Sequence, residues 1–305
     1  MKLEERHLRL PNIGRVRLKE TCASRGFEGR ILSATIRRRA DRWFVSLCVE
    51  RDRKLAPTKP VRRSRDVVGI DLGLSAAAVI HDGETTRIVE PQRALRRNLA
   101  KLRRLDRQLA RKQKGSRNRE KAKLRRARLH YKISCQRQDH LHQLTASLAR
   151  TKSVIVLEDL QVKGMQRNRS LALSVGDAGM GELRRQLTYK SEWYGSTLVI
   201  ADRFFPSSKL CFGCGTIKDT LTLGERVYDC DVCGLVLDRD ENAAINLRKL
   251  ALLPEGLGEV TPVERKALAS ASAAAKPASL KQEATGRRTR GGTRRSTRQL
   301  VEVLA

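Results

Sequence analysis

Four cysteines stand at metal-ligand spacing. Cys211 and Cys214 form one C-x-x-C pair and Cys230 and Cys233 a second, with fifteen residues between the pairs and Gly213, Gly215 and Gly234 beside them. Four thiolates so placed can close a tetrahedron around Zn²⁺, and the glycines let both knuckles turn tightly. Reduced structural cysteines are the alternative, but such a small loop has little apolar material to fold around without a metal. A closed four-sulfur shell leaves no open position, so the expected zinc is structural. Cys22, Cys48 and Cys135 are scattered, and in a reducing compartment the clustering of the other four favours metal over disulfides.

Acidic residues supply the second constellation. Asp71 closes the apolar run VVGID, Glu158 closes SVIVLE with Asp159 next to it, and Asp240 lies at a helix start in LDRDENAA, two residues after Asp238. Singly, each has an ordinary reading as turn residue, solvated strand end or N-cap. Together they carry more, because the element order β-β-β-α-β-α-β-α, with acids ending the first and fourth strands, is that of an RNase H-like sheet. There the first and fourth strands are neighbours and their terminal carboxylates meet. Converging carboxylates repel unless cations neutralise them, and hard oxygen ligands select Mg²⁺ or Mn²⁺. Two such ions can activate water and stabilise the leaving oxygen of a phosphodiester. Alternation along a strand leaves Glu158 and Asp159 both open, since they merely face opposite ways.

The elements that must position these residues are readable from periodicity. Residues 29–37 and 42–50 alternate like strands, with Trp43, Val45, Leu47 and Val49 on one face and a turn at Arg39–Arg42, which predicts a β-hairpin. The Pro-bearing, charged stretch 51–65 reads as an exposed linker at a domain boundary. VVGIDLGLSAAAVI, a turn at His81–Glu84 and TTRIVE predict three antiparallel strands. Residues 93–150 predict a long helical hairpin broken near Gly115 and Ser116. SVIVLEDL then reads as a buried strand, GELRRQLTYKSEWYG as a helix, STLVIADRFF as a strand, and a final helix starts at about Asp240. Residues 254–305, rich in Ala, Ser, Gly and Arg, are expected to form a disordered basic tail.

Charge narrows the partner. The 305 residues carry 64 Lys and Arg against 33 Asp and Glu, a formal net charge of +31 with a pI near 10.8. A polyanion is the simplest explanation, and no apolar run approaches the roughly 20 residues needed to span a bilayer. The N-terminus lacks the apolar stretch of a secretion signal, so a soluble, cytoplasmic protein, nucleoid-associated when bound to DNA, is expected. The helical hairpin alone holds 20 Lys and Arg against Asp106, Glu120 and Asp139. Solvated helices usually mix charges to gain i,i+4 pairs, so this bias points to nucleic acid rather than to a merely solvated face.

In the stretches GIDLGLSAAAVI, VIVLEDLQVKGM, RRQLTYKSEWYG, FFPSSKLCFGCG, YDCDVCG and LDRDENAAINL the chain resembles the TnpB family, transposon-encoded proteins related to type V CRISPR effectors. The resemblance implies Asp71, Glu158 and Asp240 as RuvC-type catalytic acids holding Mg²⁺ or Mn²⁺, Asp240 being the acid of the D-x-N motif. It implies Cys211, Cys214, Cys230 and Cys233 as zinc ligands, a DNA substrate, and a guide RNA that supplies specificity by pairing. The implied fold class is α/β: an RNase H-like (RuvC-type) core over 56–250 with the helical hairpin 93–150 and a zinc ribbon inserted at 207–236, preceded by a partial wedge-type β-barrel segment over 1–55. Family members usually begin with further wedge strands and a helical recognition domain, so the chain is expected to be N-terminally truncated. A non-cleaving, repressor-like nucleic-acid-binding protein or inert remnant is one rival reading, and a strand-transfer transposase is another; the intact acids favour an enzyme.

Overall fold

The computed structural model describes residues 1–4, 6–19, 29–51, 56–222, 224–252 and 297–304. These fall into two compact units, one within Met1–Lys54, Leu99–Ile133 and Ser279–Ala305, the other within Leu55–Asn98 and Ser134–Ala278.

In the first unit, β1 (Lys2–Leu3), β2 (His7–Leu10) and β3 (Gly14–Arg17) form an antiparallel sheet, and β4 (Arg30–Arg39) pairs antiparallel with β5 (Arg42–Arg51). Val45, Leu47 and Val49 alternate into a core with Leu8, Leu10 and Leu18, as period two requires. Trp43 continues that face by period two but is 51% exposed: it lies opposite Arg38 near the turn, past the end of the core, with the Arg38 guanidinium 5.8 Å from its ring centre. Phe44, facing the other way, is buried against Tyr131 at 5.7 Å between ring centres. A strand at Thr297–Leu304 adds antiparallel to the free side of β5. It corrects the expectation of disorder at the end of the tail, where Thr, Val and Leu content suits extended backbone. The remaining tail residues lie outside the described ones.

The helical hairpin consists of α1 (Ala94–Ala110) and α2 (Arg117–Thr151), separated by Gly115 at φ 82°, with Ser116 Oγ accepting the Arg119 amide at 3.2 Å to cap α2. Its middle part, Leu99–Ile133, groups with the first unit and its outer parts with the second. The expected linker is also partly docked: Lys59 Nζ donates to the carbonyls of Ala149 at 2.6 Å and Arg150 at 2.8 Å, satisfying acceptors that the end of α2 leaves open.

The second unit is a mixed α/β layer. Its sheet comprises β6 (Val67–Asp71), β7 (Ala78–His81), β8 (Thr86–Val89), β9 (Val154–Glu158) and β10 (Thr197–Ala201), in the order β10-β9-β6-β7-β8. The three strands β10, β9 and β6 are parallel, and β7 and β8 return antiparallel. Two short helices, α3 (Val162–Arg167) and α4 (Ala172–Ala178), precede α5 (Met180–Tyr194); after β10 come the small hairpin β11 (Val227–Asp229) and β12 (Val236–Asp238), and then α6 (Arg239–Leu252). Every residue of β6 is buried, because helices cover both faces. Val68, Ile70, Ile155 and Leu157 pack with Leu141, Leu144 and Leu148 of α2 and Leu183 and Leu187 of α5. Val156 and Ala201 face the other way, onto Leu247 and Leu250 of α6. No helix among the described residues is long and apolar enough to cross a membrane.

Gly69 is the seat of α6. A methyl carbon added there would collide with the Ala244 carbonyl oxygen and the Arg248 backbone nitrogen. Replacing Gly69 by Ala is therefore expected to cost on the order of 3 kcal/mol by overpacking, read as a lowered midpoint in thermal unfolding. An unchanged midpoint would mean that the helix can lift off the strand at little cost.

Candidate functional site

Parity decides which acids share a face. In β6, Val68 and Ile70 point to the α2/α5 side, so Gly69 and Asp71 point to α6; in β9, Ile155 and Leu157 point to the α2/α5 side, so Val156 and Glu158 point to α6. The parallel register pairs Ile70 with Leu157, which brings Asp71 and Glu158 to the same end of adjacent strands. Helix α6 starts over that end. Its Asp240 carboxylate lies 3.9 Å from the point a β-carbon on Gly73 would occupy, beside the loop leaving β6.

The two neighbouring acids that strand and helix spacing alone leave open have other occupations. Asp238 Oδ1 accepts the amides of Asp240 at 2.9 Å and Glu241 at 3.1 Å, which makes it the cap of α6. Asp159 is ion-paired with Arg184 and with Arg203, the latter at 2.7 Å; partial burial works against ionisation, but the two guanidinium groups hold its carboxyl below the usual range.

Electrostatics binds the other three acids into one site. Asp71, 8% exposed, is pushed well above the ordinary carboxylate range, first by burial and then by the charges of Glu158 and Asp240. Glu158 is raised by burial and by Asp240, against a hydrogen bond donated by Ser207 Oγ. Asp240 is flanked by cations, Arg239 at 3.2 Å and Arg226 at 3.5 Å. Three carboxylates gathered at one sheet end form a hard-oxygen set, to which a divalent cation is the natural counter-ion. Sequence reasoning missed Arg226 and Ser207. Nothing in their local pattern distinguishes them, since it is the tertiary fold that brings both to the acids.

The cysteines converge as their spacing predicts. Sγ atoms of Cys211 and Cys233, and of Cys214 and Cys230, lie 3.6 Å apart, and all four lie within 4.8 Å of one another. A tetrahedron with metal–sulfur bonds of about 2.3 Å has edges of about 3.8 Å, so the set fits a thiophilic metal. The two knuckles repeat one geometry: the Gly215 amide donates to Cys211 O at 3.0 Å and the Gly234 amide to Cys230 O at 2.9 Å, both glycines at positive φ. Hydrogen bonds from Thr216 pull the Cys214 thiol down to about 6, toward the thiolate form that binds metal. Docking onto α6 is polar. Asn242 Nδ2 and Asn246 Nδ2 both donate to Leu210 O, at 2.7 and 2.6 Å, and Asn242 Oδ1 accepts the Phe212 amide at 3.2 Å.

Comparison with known proteins finds two family models along the chain. Residues 46–169 match OrfB_IS605, described as a probable transposase, and residues 181–247 match the Cas12f1-like TNB domain. Among curated relatives, a Streptomyces pristinaespiralis protein named "Putative RNA-guided DNA endonuclease" is 43% identical over 223 residues, covering 73% of this chain and 53% of that one. A Mycobacterium tuberculosis protein of the same name is 37% identical over 274 residues (84% and 58%), and Escherichia coli InsQ is 31% identical over 264 residues (81% and 63%). The chain thus spans between 53% and 63% of these relatives' lengths. A solved CRISPR-Cas12f ternary complex overlays loosely, with a TM-score of 0.47 and 15% identity over 84% of this chain and 52% of that one.

The raised Asp71 carboxyl has a consequence for stability. Below the unfolded-chain value, about 3.9, both states hold the proton and no penalty exists. As pH rises past it the unfolded chain ionises first, so stability falls until the folded carboxyl ionises too, and the penalty then stays constant. Replacing Asp71 by Asn should therefore raise the melting temperature at pH 7–8 in the presence of chelator and flatten the decline above about pH 4. A lower melting temperature for the Asn variant at that pH would show that the carboxylate is compensated within the fold.

Proposed function

Because the chain belongs to the TnpB family, with family models matching residues 46–169 and 181–247, we propose that its second unit is an RNase H-like (RuvC-type) nuclease core that hydrolyses phosphodiester bonds in DNA. In this reading 1–55 is a partial wedge-type segment, 56–250 the nuclease domain with the hairpin 93–150, and 207–236 its zinc ribbon. The observation that carries it is the gathering of Asp71, Glu158 and Asp240, from two strands and a helix, on the α6 side of one sheet end.

These three carboxylates would hold Mg²⁺ or Mn²⁺, which supplies an activated water and neutralises the leaving oxygen. The chain's own residues do the rest. Ser207 fixes the Glu158 carboxylate, Arg226 and Arg239 offset the Asp240 charge, and the seat of α6 on Gly69 sets where Asp240 stands. Cys211, Cys214, Cys230 and Cys233 would hold Zn²⁺ as a structural pin, fixing the ribbon whose Arg226 reaches the acids. The basic hairpin grips sugar–phosphate backbone by charge, which suits a guide RNA paired to its target as readily as free DNA. The transposase description of the matching family favours strand transfer as a second reading, which shares the acids and is told apart by its joined products.

Elemental analysis of protein purified without chelators should find about one zinc per chain, lost when Cys211 and Cys214 are both replaced by Ser. Protein that folds without zinc would remove the metal from the ribbon.

Cleavage should require Mg²⁺ or Mn²⁺ and fall by at least about a hundredfold with each of Asp71→Ala, Glu158→Ala and Asp240→Ala, while affinity for DNA is largely retained because phosphate contacts come from Lys and Arg. Asp238→Ala should cost about 1 kcal/mol of stability through the lost cap and spare more activity than Asp240→Ala. Asp159→Ala should likewise spare more activity than Glu158→Ala. Activity is assayed on single-stranded DNA with and without co-purified RNA. Full activity in the Asp240 variant, or uncut nucleic acid under every condition, would defeat the assignment.

A further inference from the structure

The loop leaving β10 turns an aromatic ring to solvent. Phe204 is 87% exposed in a chain with only 4% aromatic residues, while its neighbour Phe205 packs against the Val156 and Leu247 cluster. The loop that presents it is firmly tied. Asp202 accepts the Phe204 amide through Oδ1 at 2.8 Å and the Phe205 amide through its carbonyl at 3.1 Å, the Ser207 amide donates to Phe205 O at 2.8 Å, and Asn246 Nδ2 holds Ser207 O at 2.9 Å.

Both ends of the loop are registered to the acids. Arg203 pairs with Asp159, next to Glu158, and Ser207 Oγ donates to Glu158 itself. Three peptide steps from Ser207 to Phe204 span at most about 11 Å, the length of about three stacked nucleotides at 3.4 Å each. Guanidinium groups lie near the loop: Arg203 and Arg184 both pair with Asp159, and Arg226 pairs with Asp240 of the cluster. Cations for phosphates beside an outward π face are the two parts of a single-strand binding surface.

We infer that Phe204 is a stacking platform for an unpaired base of the DNA strand, within about three nucleotides of the phosphate to be cut. This rests on the nuclease reading above. Every base has a π face, so the contact adds grip and registration without sequence preference. A second copy of the chain is a poor cover for the ring, because each copy carries a net charge of +31.

The test uses the full chain carrying Asp71→Ala, so that bound strands stay intact, and compares its affinity for a short dT strand with that for an abasic strand of the same length. Phe204→Ala should weaken dT binding roughly 5- to 100-fold and leave abasic binding nearly unchanged. Phe204→Tyr should restore the preference and Phe204→Leu should not, with unaltered melting temperature and salt dependence in all three. A 2-aminopurine strand should be quenched on binding by Phe and Tyr at this position and not by Ala or Leu. Equal loss on dT and abasic strands, a preference confined to RNA, or a change of oligomeric state with affinity untouched would each overturn the proposal. Stacking without any cleavage by the unmutated chain would instead sink the nuclease reading and leave the platform standing.

Discussion

A helix can lie close against a strand only where the strand offers no side chain, and Gly69 makes that gap beneath Ala244 and Arg248. The rest of the site follows from this contact. Helix α6 begins at the sheet end where β6 and β9 deliver Asp71 and Glu158, so its first turn brings Asp240 to the same place. Apolar packing of Leu247 and Leu250 against Val156 supplies the attraction that keeps three like charges together against their repulsion. The raised Asp71 and Glu158 carboxyls register that tension.

The protein offsets the tension in two ways that do not compete. Guanidinium groups from Arg226 and Arg239 lie against Asp240, at the mouth of the cluster, while Asp71, buried deeper in the cluster, sits where a compact divalent ion suits it better than a long cationic side chain. Asp159 and Asp238 are spent on other partners, so neighbouring acids of the same type do different work a residue or two apart. Chemistry at this site is thus set by which carboxylates are left to face one another.

Much of this was legible in the sequence. The C-x-x-C pairs, the apolar runs of β6 and β9, the helical hairpin and its break at Gly115 each follow from spacing that only one local structure satisfies. The choice between Glu158 and Asp159 was legible only through the family resemblance, because period two says that adjacent residues face opposite ways and never which way is inward. That answer lies in α6, some ninety residues along the chain. Trp43 shows a related limit: alternation continues to the end of a hairpin, whereas the core beneath it stops earlier. Lys59, Ser207 and Arg226 carry no local signal at all, since their partners are set by tertiary approach. The strand at Thr297–Leu304 was hidden by composition, as a short β-branched run was averaged into the Ala- and Arg-rich stretch before it.

Asn246 spends one amide on two duties, donating to Ser207 O in the loop that holds Glu158 and to Leu210 O at the threshold of the ribbon. Loop, ribbon and helix therefore cannot be exchanged piecemeal between relatives. A ribbon transplanted alone would arrive without the asparagines that seat it, and a foreign α6 would release the serine that steadies the glutamate. Recombination, natural or engineered, should respect 202–252 as a single heritable cassette, with seams at the exit of β10 and beyond the end of α6.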